Sequence, residues 1–348
     1  MRDLETTSHD TETTLDAAWS ALDAGDVATA RKRAEKLDPS SPDVLLLQAA
    51  CAREEDDTPK ALELLRAAAK ADPDWATPEL WIAELLATEP ETMEEAQSHA
   101  ERALDLADEE DEYLSALALK AGLEAELGDL EEAKSTLADL PPPDVALGDT
   151  ALALEIADLH LAVGEAPVAV ERLKTLTASN PDEADAWYAL GCAAGEAGDE
   201  ALQREGWRRA WKLDSAPHDH GDGEHSHHHL DDETVSAAAE EALGELPDRA
   251  RALLRDVPII VAELPAEADV DTGLDPRALG LFSGTAYPDI PHVGGQPGLT
   301  QIVLFKRNIE RVADTDEELR EEIRVTLLHE TGHFFGLDEA ELSGAGLG

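Results

Sequence analysis

Two histidines and a glutamate near the end of the sequence have the spacing of a metal site. They are His329, Glu330 and His333, in the stretch HETGHFFGLDE at 329–339. On a helix, side chains four residues apart leave the same face one turn apart, so both imidazoles can reach one ion. Zinc binds imidazole nitrogen at about 2 Å and lowers the pKa of a bound water molecule towards about 7. The pattern therefore predicts a zinc site in which Glu330, beside the pair, takes a proton from that water as general base.

The third metal ligand is expected close behind His333. A catalytic zinc site holds three protein ligands and leaves one position open for water. Fifteen residues follow His333, so we expect no ligand from a second, downstream helix. In sequences of the H-E-x-x-H-x-x-G-x-x-H type, the third ligand lies six residues after the second histidine. That position holds Glu339; Asp338 is the close alternative, followed by Glu341 and, from an upstream loop, His292.

A helix must present the two histidines, and the sequence marks both of its ends. Thr315 followed by Glu318 forms a capping box, in which each side chain accepts the other residue's backbone N–H. The predicted helix runs to Gly336, because glycine adopts the left-handed conformation that ends many helices. Between the histidines, Gly332 allows another segment to pack closely. The predicted buried face consists of Leu319, Ile323, Leu327 and Phe334.

The residues before this helix predict a small α+β arrangement. Residues 233–255 have the periodicity of one or two amphipathic helices. Residues 257–264 (VPIIVAEL) are apolar and β-branched, and residues 300–308 (TQIVLFKRN) alternate, so both are predicted strands. A third, shorter strand is expected within 279–287.

The segment from about 233 to 345 resembles the zincin-like metallopeptidase family of bacteria, a minimal metalloprotease-like domain. The residues that carry the resemblance are ELPDRARALLRDVPIIVAELP, LGLFSG, QIVLFKRNIE and EIRVTLLHETGHFFGLDEAEL. The resemblance implies a small α+β fold with a short sheet, two histidine ligands on one helix and peptidase chemistry. That family's helix typically ends in H-E-x-x-H-H-F-G-x-x-D/E. Phe334 replaces the second residue of the HH pair here, so the predicted chemistry does not need that histidine.

In zincins, a strand beside the active-site helix pairs with the extended substrate. We assign this role to the predicted strand 300–308. Lys306 and Arg307 at its end either orient an acidic part of the substrate or form an ordinary solvated strand end. We favour the second interpretation.

Residues 15–215 have helical periodicity, interrupted at regular intervals by short turns that contain Gly, Asp or Pro. In the last block, Trp187, Leu190 and Gly191 precede Gly198 and Ala210, which resembles the tetratricopeptide pattern. Earlier blocks repeat the alanine of the second helix in steps of 35, 37 and 36 residues, at Ala61, Ala96, Ala133 and Ala169. The resemblance implies an all-α solenoid of five or six degenerate repeats.

Stacked helical hairpins leave a concave surface, which has two possible uses here. Each hairpin buries its apolar face only against its neighbours, so the array forms an extended groove. The groove holds a peptide or partner protein, or the array is a spacer without a specific ligand. We favour a protein partner, although the sequence does not mark groove residues.

The stretch at 216–232 separates the two regions. Glycine, aspartate and histidine at this density cannot form a packed core, which predicts a flexible linker. Six of the 12 histidines lie in it, at His218, His220, His225, His227, His228 and His229. They either gather metal for the downstream site or bind it incidentally, and we favour the second. The predicted organisation is a disordered tail at 1–14, repeats at 15–215, a linker at 216–232 and a zincin-like domain at 233–348.

Composition excludes several partners. The chain has 78 acidic against 27 basic residues and a formal net charge of -51. Phosphate groups need Lys and Arg, so neither a general nucleic-acid binder nor an anionic-membrane binder is expected. The N-terminal residues show no secretory signal, and the sequence contains no apolar run of membrane-spanning length. Cys51 and Cys192 lie in helical patterns as small apolar residues, which fits a reducing compartment and a cytoplasmic location.

Together these features predict a multidomain enzyme: a zinc metallopeptidase whose repeats recruit a peptide or protein substrate, or another protein partner. The alternative is a repeat scaffold without catalytic activity, whose zinc site is vestigial or structural. The presence of Glu330 favours the enzyme, because a structural zinc does not need a general base.

Overall fold

The computed structural model describes residues 2–216, 232–255, 257–284, 300–313, 315–338 and 341–342. For residues 2–12 and 232–233 it describes the backbone alone. The chain divides into two compact units, Met1–Ser179 and Asn180–Gly348. The predicted linker histidines lie outside the described residues. The predicted boundaries of the four regions stay predictions.

The first unit is a succession of helices that pair with their neighbours in sequence. They are α1 (Arg2–Asp23), α2 (Val27–Ala34), α3 (Pro42–Arg53), α4 (Thr58–Ala71), α5 (Ala76–Ala87), α6 (Met93–Leu106), α7 (Glu110–Glu126), α8 (Leu130–Leu137), α9 (Thr150–Ala162) and α10 (Ala166–Ser179). The four alanines predicted at the second helix of each hairpin are fully buried. A side chain that small lets two helices approach closely, so the repeat pattern predicted the packing.

The turns inside four hairpins of this unit, all but α5–α6, contain a left-handed residue. Gly25, Gly128 and Gly164 have φ values of 73°, 87° and 80°. In the α3–α4 turn the same place is taken by Asp56, with φ 57°. The next residue, Asp57, caps α4 by accepting the backbone N–H of Lys60 at 3.1 Å. In these four turns a left-handed residue followed by an acidic residue reverses the chain.

The first helix differs from the predicted tail. Residues 1–14 were expected to be disordered because they are polar, but α1 runs from Arg2 to Asp23. Residues 2–14 contain neither proline nor glycine. Each residue added to an existing helix forms one more hydrogen bond, so a helix nucleated by the apolar residues after Leu15 can extend towards the N-terminus.

The second unit begins with a further hairpin, α11 (Ala184–Glu196) and α12 (Glu200–Ser215). The two helices approach closely at Gly191 and Gly206. A Cβ added to Gly206 would lie 2.7 Å from the backbone nitrogen of Gly191, and one on Gly191 would lie 2.3 Å from Trp207 Cδ1. The glycine predicted at this place is therefore required by the packing.

The remainder of the second unit has helices around a three-stranded sheet. Its elements are α13 (Asp232–Glu245), α14 (Asp248–Leu254), β1 (Ile259–Ala262), α15 (Glu267–Asp271), β2 (Gly280–Ser283), β3 (Gln301–Phe305), α16 (Lys306–Arg311) and α17 (Asp316–Phe334). The strand order is β1-β3-β2. β1 pairs with β3 in parallel, Ile260 opposite Val303, and β2 pairs with β3 antiparallel, Phe282 opposite Ile302.

The core of this part lies between the sheet and the helices α13 and α17. The four residues predicted for the buried face of α17 are all in it, and they meet Ile302 and Leu304 of β3. α17 itself packs against α13, β2 and β3. The predicted fold class, a helical-repeat region followed by a small α+β region, is confirmed.

The strand predicted over 300–308 is shorter than expected. β3 ends at Phe305, and residues 306–311 form the helix α16. Lys306 is 4 % exposed, and its Nζ lies 2.9 Å from Glu263 Oε1. For Lys306 both interpretations were therefore wrong, the substrate-orienting charge and the favoured solvated strand end, because its charge is buried and paired.

Candidate metal centre and active site

α17 positions the two predicted histidine ligands. Its first turn has the predicted capping box: Glu318 N donates to Thr315 Oγ1 at 3.2 Å, and Thr315 N donates to Glu318 Oε2 at 3.0 Å. Near its last turn, the Nε2 atoms of His329 and His333 lie 3.0 Å apart. Their ring centroids are 4.7 Å apart with an interplanar angle of 79°. Both imidazoles thus turn the same nitrogen towards one point.

The end of α17 fixes the orientation of His333. Gly336 has φ 83°, and Leu337 N donates to Gly332 O at 3.1 Å. This turn brings the carbonyl of Leu337 back to the helix, where it accepts a hydrogen bond from His333 Nδ1 at 3.1 Å. A carbonyl oxygen cannot donate, so the proton of the neutral ring is on Nδ1 and the lone pair is on Nε2. Metal-binding histidines commonly have such a partner on their second nitrogen.

Gly332 has the packing role that the sequence suggested. A Cβ at this residue would lie 2.3 Å from Leu342 Cδ2, and Leu342 is fully buried. The chain beyond the helix therefore packs its leucine against the backbone of α17 between the two histidines. This contact holds the segment that follows His333 close to the predicted site.

Glu330 lies against β2. Its side chain is buried, and Glu330 Oε2 accepts the backbone N–H of Phe282 at 2.5 Å. The close approach depends on Gly280, where an added Cβ would lie 2.7 Å from Thr326 Cγ2 and 3.0 Å from Glu330 Cγ. The carboxylate is therefore held beside the histidine pair by contacts from a neighbouring strand, which the sequence did not predict.

The register of β2 decides which of its polar groups face away from β3. Phe305 N donates to Leu279 O at 2.8 Å, so Leu279 and Phe305 form a hydrogen-bonded pair. Antiparallel strands alternate between bonded and non-bonded pairs, so the backbone groups of Gly280 and Phe282 point away from β3. Among the strands that the structure describes, β3 lies between β1 and β2, so β2 and not β3 offers an edge beside Glu330. The predicted substrate strand was wrong in this respect.

A cleft of about 700 Å³ lies between β2 and α17. The three predicted residues His329, Glu330 and His333 border it. The rest of its lining is mostly apolar, with Leu274, Ala278, Leu281 and Val325, and one further acid, Glu322. An apolar cleft with a few convergent polar groups is the usual form of a binding site for small groups or side chains.

The residues proposed as third ligand are only partly described. Asp338 is exposed, and its Oδ1 accepts the backbone N–H of Glu341 at 2.9 Å while its own N–H donates to Glu341 Oε2 at 3.1 Å. Glu339 and His292 lie outside the described residues. Among the residues that the structure describes, there is no group of three His, Cys, Asp or Glu side chains suited to a metal.

The described residues nevertheless fit a zinc ion. Two nitrogen ligands of a tetrahedral zinc, each about 2.1 Å from the metal, are about 3.4 Å apart. The two Nε2 atoms at 3.0 Å need only small rotations of their side chains to reach that distance. Two imidazoles also match the donor chemistry that zinc prefers.

Comparisons with known proteins address the two predicted resemblances. A family model described as zincin-like metallopeptidase matches residues 254–347, and one described as tetratricopeptide repeat matches residues 15–74 and 154–220. Both resemblances are confirmed. The zincin-like match includes the whole of α17 and the cleft, and the tetratricopeptide match includes the hairpin α11–α12.

Similar solved structures include several proteins with helical repeats. PilF of Pseudomonas aeruginosa is 18 % identical, with 59 % of this chain and 92 % of that chain covered and a TM-score of 0.46. A thermophilic tetratricopeptide protein of Thermus thermophilus is 17 % identical, with 53 % and 98 % covered and a TM-score of 0.43. YrrB, a tetratricopeptide protein with an unusual peptide-binding site, is 18 % identical, with 53 % and 91 % covered and a TM-score of 0.37. No curated protein matches the sequence.

The two matches support a coarse functional statement. The zincin-like region indicates metallopeptidase-type chemistry, for which zinc is the general cofactor, and tetratricopeptide repeats are typical of proteins that bind peptides or proteins. Within the described residues, no helix is both long and apolar enough to cross a membrane.

Proposed function

We propose that the chain is a zinc-dependent metallopeptidase in which His329 and His333 bind the metal and Glu330 is the general base. The observation that carries the proposal is the convergence of the two Nε2 atoms beside a buried carboxylate in one cleft. A zinc ion held there would supply an acidified water molecule and stabilise negative charge on a substrate carbonyl oxygen.

The position of Glu330 supports its proposed role in proton transfer. It follows His329 directly in sequence, so it lies beside the metal ligands but leaves the helix at a different angle. The Phe282 N–H holds one carboxylate oxygen in place. Glu330 accepts the proton of the attacking water and then delivers it to the leaving amine, which breaks the peptide bond.

The edge of β2 is the proposed binding strand for an extended substrate. An added strand would pair with the N–H and C=O of Gly280 and with the C=O of Phe282, on the side of β2 away from β3, while the Phe282 N–H stays with Glu330. Its side chains would then alternate between the cleft and solvent. The apolar lining from Leu281 and Val325 favours an apolar substrate side chain at the cleft.

The repeat region is proposed to recruit the substrate or a regulatory protein. A partner bound on one part of the same chain raises the local concentration of its cleavable segment near the cleft. The tetratricopeptide match supports this role because such repeats generally bind peptides or proteins.

Cleavage of a peptide library by the full chain and by Glu330→Gln tests the proposal. The substitution keeps the shape of the side chain and removes the base, so we expect an activity loss of about 10²- to 10⁴-fold with zinc content unchanged. If both proteins bind one equivalent of zinc and neither cleaves a peptide, the result would favour the alternative, a repeat scaffold without catalytic activity. If removal of zinc unfolds the second unit, the site is structural.

The third ligand is proposed to be Glu339, with Asp338 as the alternative. The Asp338 carboxylate already accepts the N–H of Glu341, which favours Glu339. Zinc content should fall in Glu339→Ala and persist in Asp338→Ala. Full zinc retention in both variants would direct the search to His292.

A further inference from the structure

Asp214, near the end of α12, joins two elements of the zincin-like region. It is 6 % exposed. Its Oδ1 and Oδ2 accept hydrogen bonds from Arg311 Nη2 and Nη1 at 2.8 and 2.9 Å. Its Oδ2 also accepts from Arg277 Nε at 3.3 Å. Such paired, charge-assisted bonds fix both the distance and the angle between the elements that carry them.

Arg277 is held by α11 as well. Its Nη2 donates to Asp185 Oδ1 at 2.5 Å, and its guanidinium lies 4.4 Å from the centre of the Tyr188 ring. The Tyr188 hydroxyl donates to Asp275 Oδ2 at 3.0 Å, two residues before Arg277. The hairpin α11–α12 therefore binds residues 274–279, which we call the approach segment because they lead directly into β2.

Asn308 of α16 holds the backbone of the approach segment from the other side. Its Nδ2 donates to Pro276 O at 2.9 Å and to Ala278 O at 2.7 Å, and the residue is 1 % exposed. α16 also carries Arg311, one of the two arginines on Asp214. Asp214 thus connects both partners of this contact, α16 and the approach segment.

The approach segment forms one wall of the cleft. Leu274, Ala278 and Leu279 line it, and Gly280 follows at the start of β2. Phe282, whose N–H holds Glu330, is five residues after Arg277. A displacement of the approach segment therefore moves both the cleft wall and the hydrogen bond that orients the proposed base.

We propose that Asp214 is a positioning residue for the candidate active site, and that the hairpin α11–α12 works as part of the peptidase unit. The hairpin has the sequence of a repeat, but its contacts set the position of the approach segment and β2. The catalytic consequence rests on the proposed peptidase function. The structural consequence, an ordered approach segment, can be measured without it.

The test compares Asp214→Asn with Asp271→Asn in the full chain. Asp271 accepts a hydrogen bond from Arg208 of α12 at 2.7 Å, but both side chains are exposed, so it is a matched control at the same hairpin. Hydrogen exchange of residues 274–283 should accelerate at least about tenfold in Asp214→Asn and stay unchanged in Asp271→Asn. The amides of α17 should keep their protection in both variants.

Peptidase kinetics of the same variants give the second readout. In Asp214→Asn we expect zinc content to be unchanged and KM for a peptide to rise about five- to tenfold, with a smaller change in kcat, because the substrate pairs with β2. Tyr188→Phe removes one hydrogen bond and should raise KM about threefold, again with a smaller change in kcat. This variant replaces Asp214→Asn in the test if Asp214→Asn does not fold.

Two results would overturn the positioning role. One is unchanged exchange at 274–283 in Asp214→Asn. The other is equal acceleration throughout α17, which would mean general destabilisation. A wild-type protein that cleaves no peptide refutes the proposed function, but the exchange measurement still decides the role of Asp214.

Discussion

Gly280 allows β2 to approach α17, and its replacement by alanine should disturb both the stability and the chemistry of the second unit. The added Cβ would lie 2.7 Å from Thr326 Cγ2, 3.0 Å from Glu330 Cγ and 3.2 Å from Glu330 Oε1. Thr326 and Glu330 are both buried, so neither side chain can move into solvent without repacking of its surroundings. β2 must then shift away from α17, which lengthens the 2.5 Å bond between Phe282 N and Glu330 Oε2.

Overpacking of this kind costs about 1–3 kcal/mol. In a unit of this size, each kcal/mol lowers the melting temperature by about 2–4 °C. Calorimetry of the full chain should therefore show one transition shifted down by about 2–12 °C. Peptide cleavage should fall as well, because Glu330 loses the bond that orients it.

A second substitution separates this clash from a general intolerance of alanine. Thr326→Ser removes the Cγ2 atom that a Cβ at residue 280 meets at the shortest distance. The double variant should recover a substantial part of the stability lost in Gly280→Ala, since contacting residues are not additive. Gly244→Ala is the matched control, because a Cβ there meets nothing within 4 Å. Wild-type stability and activity in Gly280→Ala would refute the reasoning.

Three further predictions concern single residues. Asp56→Gly should stabilise the first unit by up to about 1 kcal/mol in urea denaturation, because φ 57° costs an L side chain energy; a loss of stability would contradict this. Thr315→Ala should lower the stability of the second unit by about 1 kcal/mol, and Thr315→Ser should restore it if the capping box is the cause. Burial alone would raise the pKa of Asp214, but hydrogen bonds and charge from Arg311 and Arg277 outweigh it, and the pKa is held below its usual 3.8. The ionised Asp214 carboxylate therefore contributes its full stabilisation above pH 3.8 and loses it as the pH falls through the lower, folded-state pKa. The difference in free energy of unfolding between wild type and Asp214→Asn should thus be constant at neutral pH and shrink below about pH 4. A difference that persists in stronger acid would contradict the assignment.

Local patterns predicted much of the fold. The capping box at Thr315, the glycine at the end of α17 and the buried alanines of the repeats all follow from short-range geometry. A side chain that caps a helix, or a residue that adopts φ above 0°, acts within a few positions of itself. For the same reason the spacing of His329 and His333 was enough to bring their Nε2 atoms together.

Contacts between distant residues could not be predicted in this way. The predicted strand was extended to residue 308, because the six-residue helix at 306–311 is too short to show its own periodicity. The Glu330–Phe282 bond joins residues 48 positions apart, and the Asp214–Arg311 pair joins residues 97 positions apart. Such pairs depend on how strands and helices pack, and that information is not carried by either residue's neighbours.

The most direct test of the proposed metal centre is a zinc-edge anomalous diffraction map of crystals of the full chain grown with one equivalent of zinc. We predict one strong peak, about 2.1 Å from Nε2 of both His329 and His333. The Glu330 carboxylate should lie outside bonding distance of that peak, in the cleft beside β2. A peak located away from the two histidines, or one that is bonded by Glu330 itself, would contradict the account.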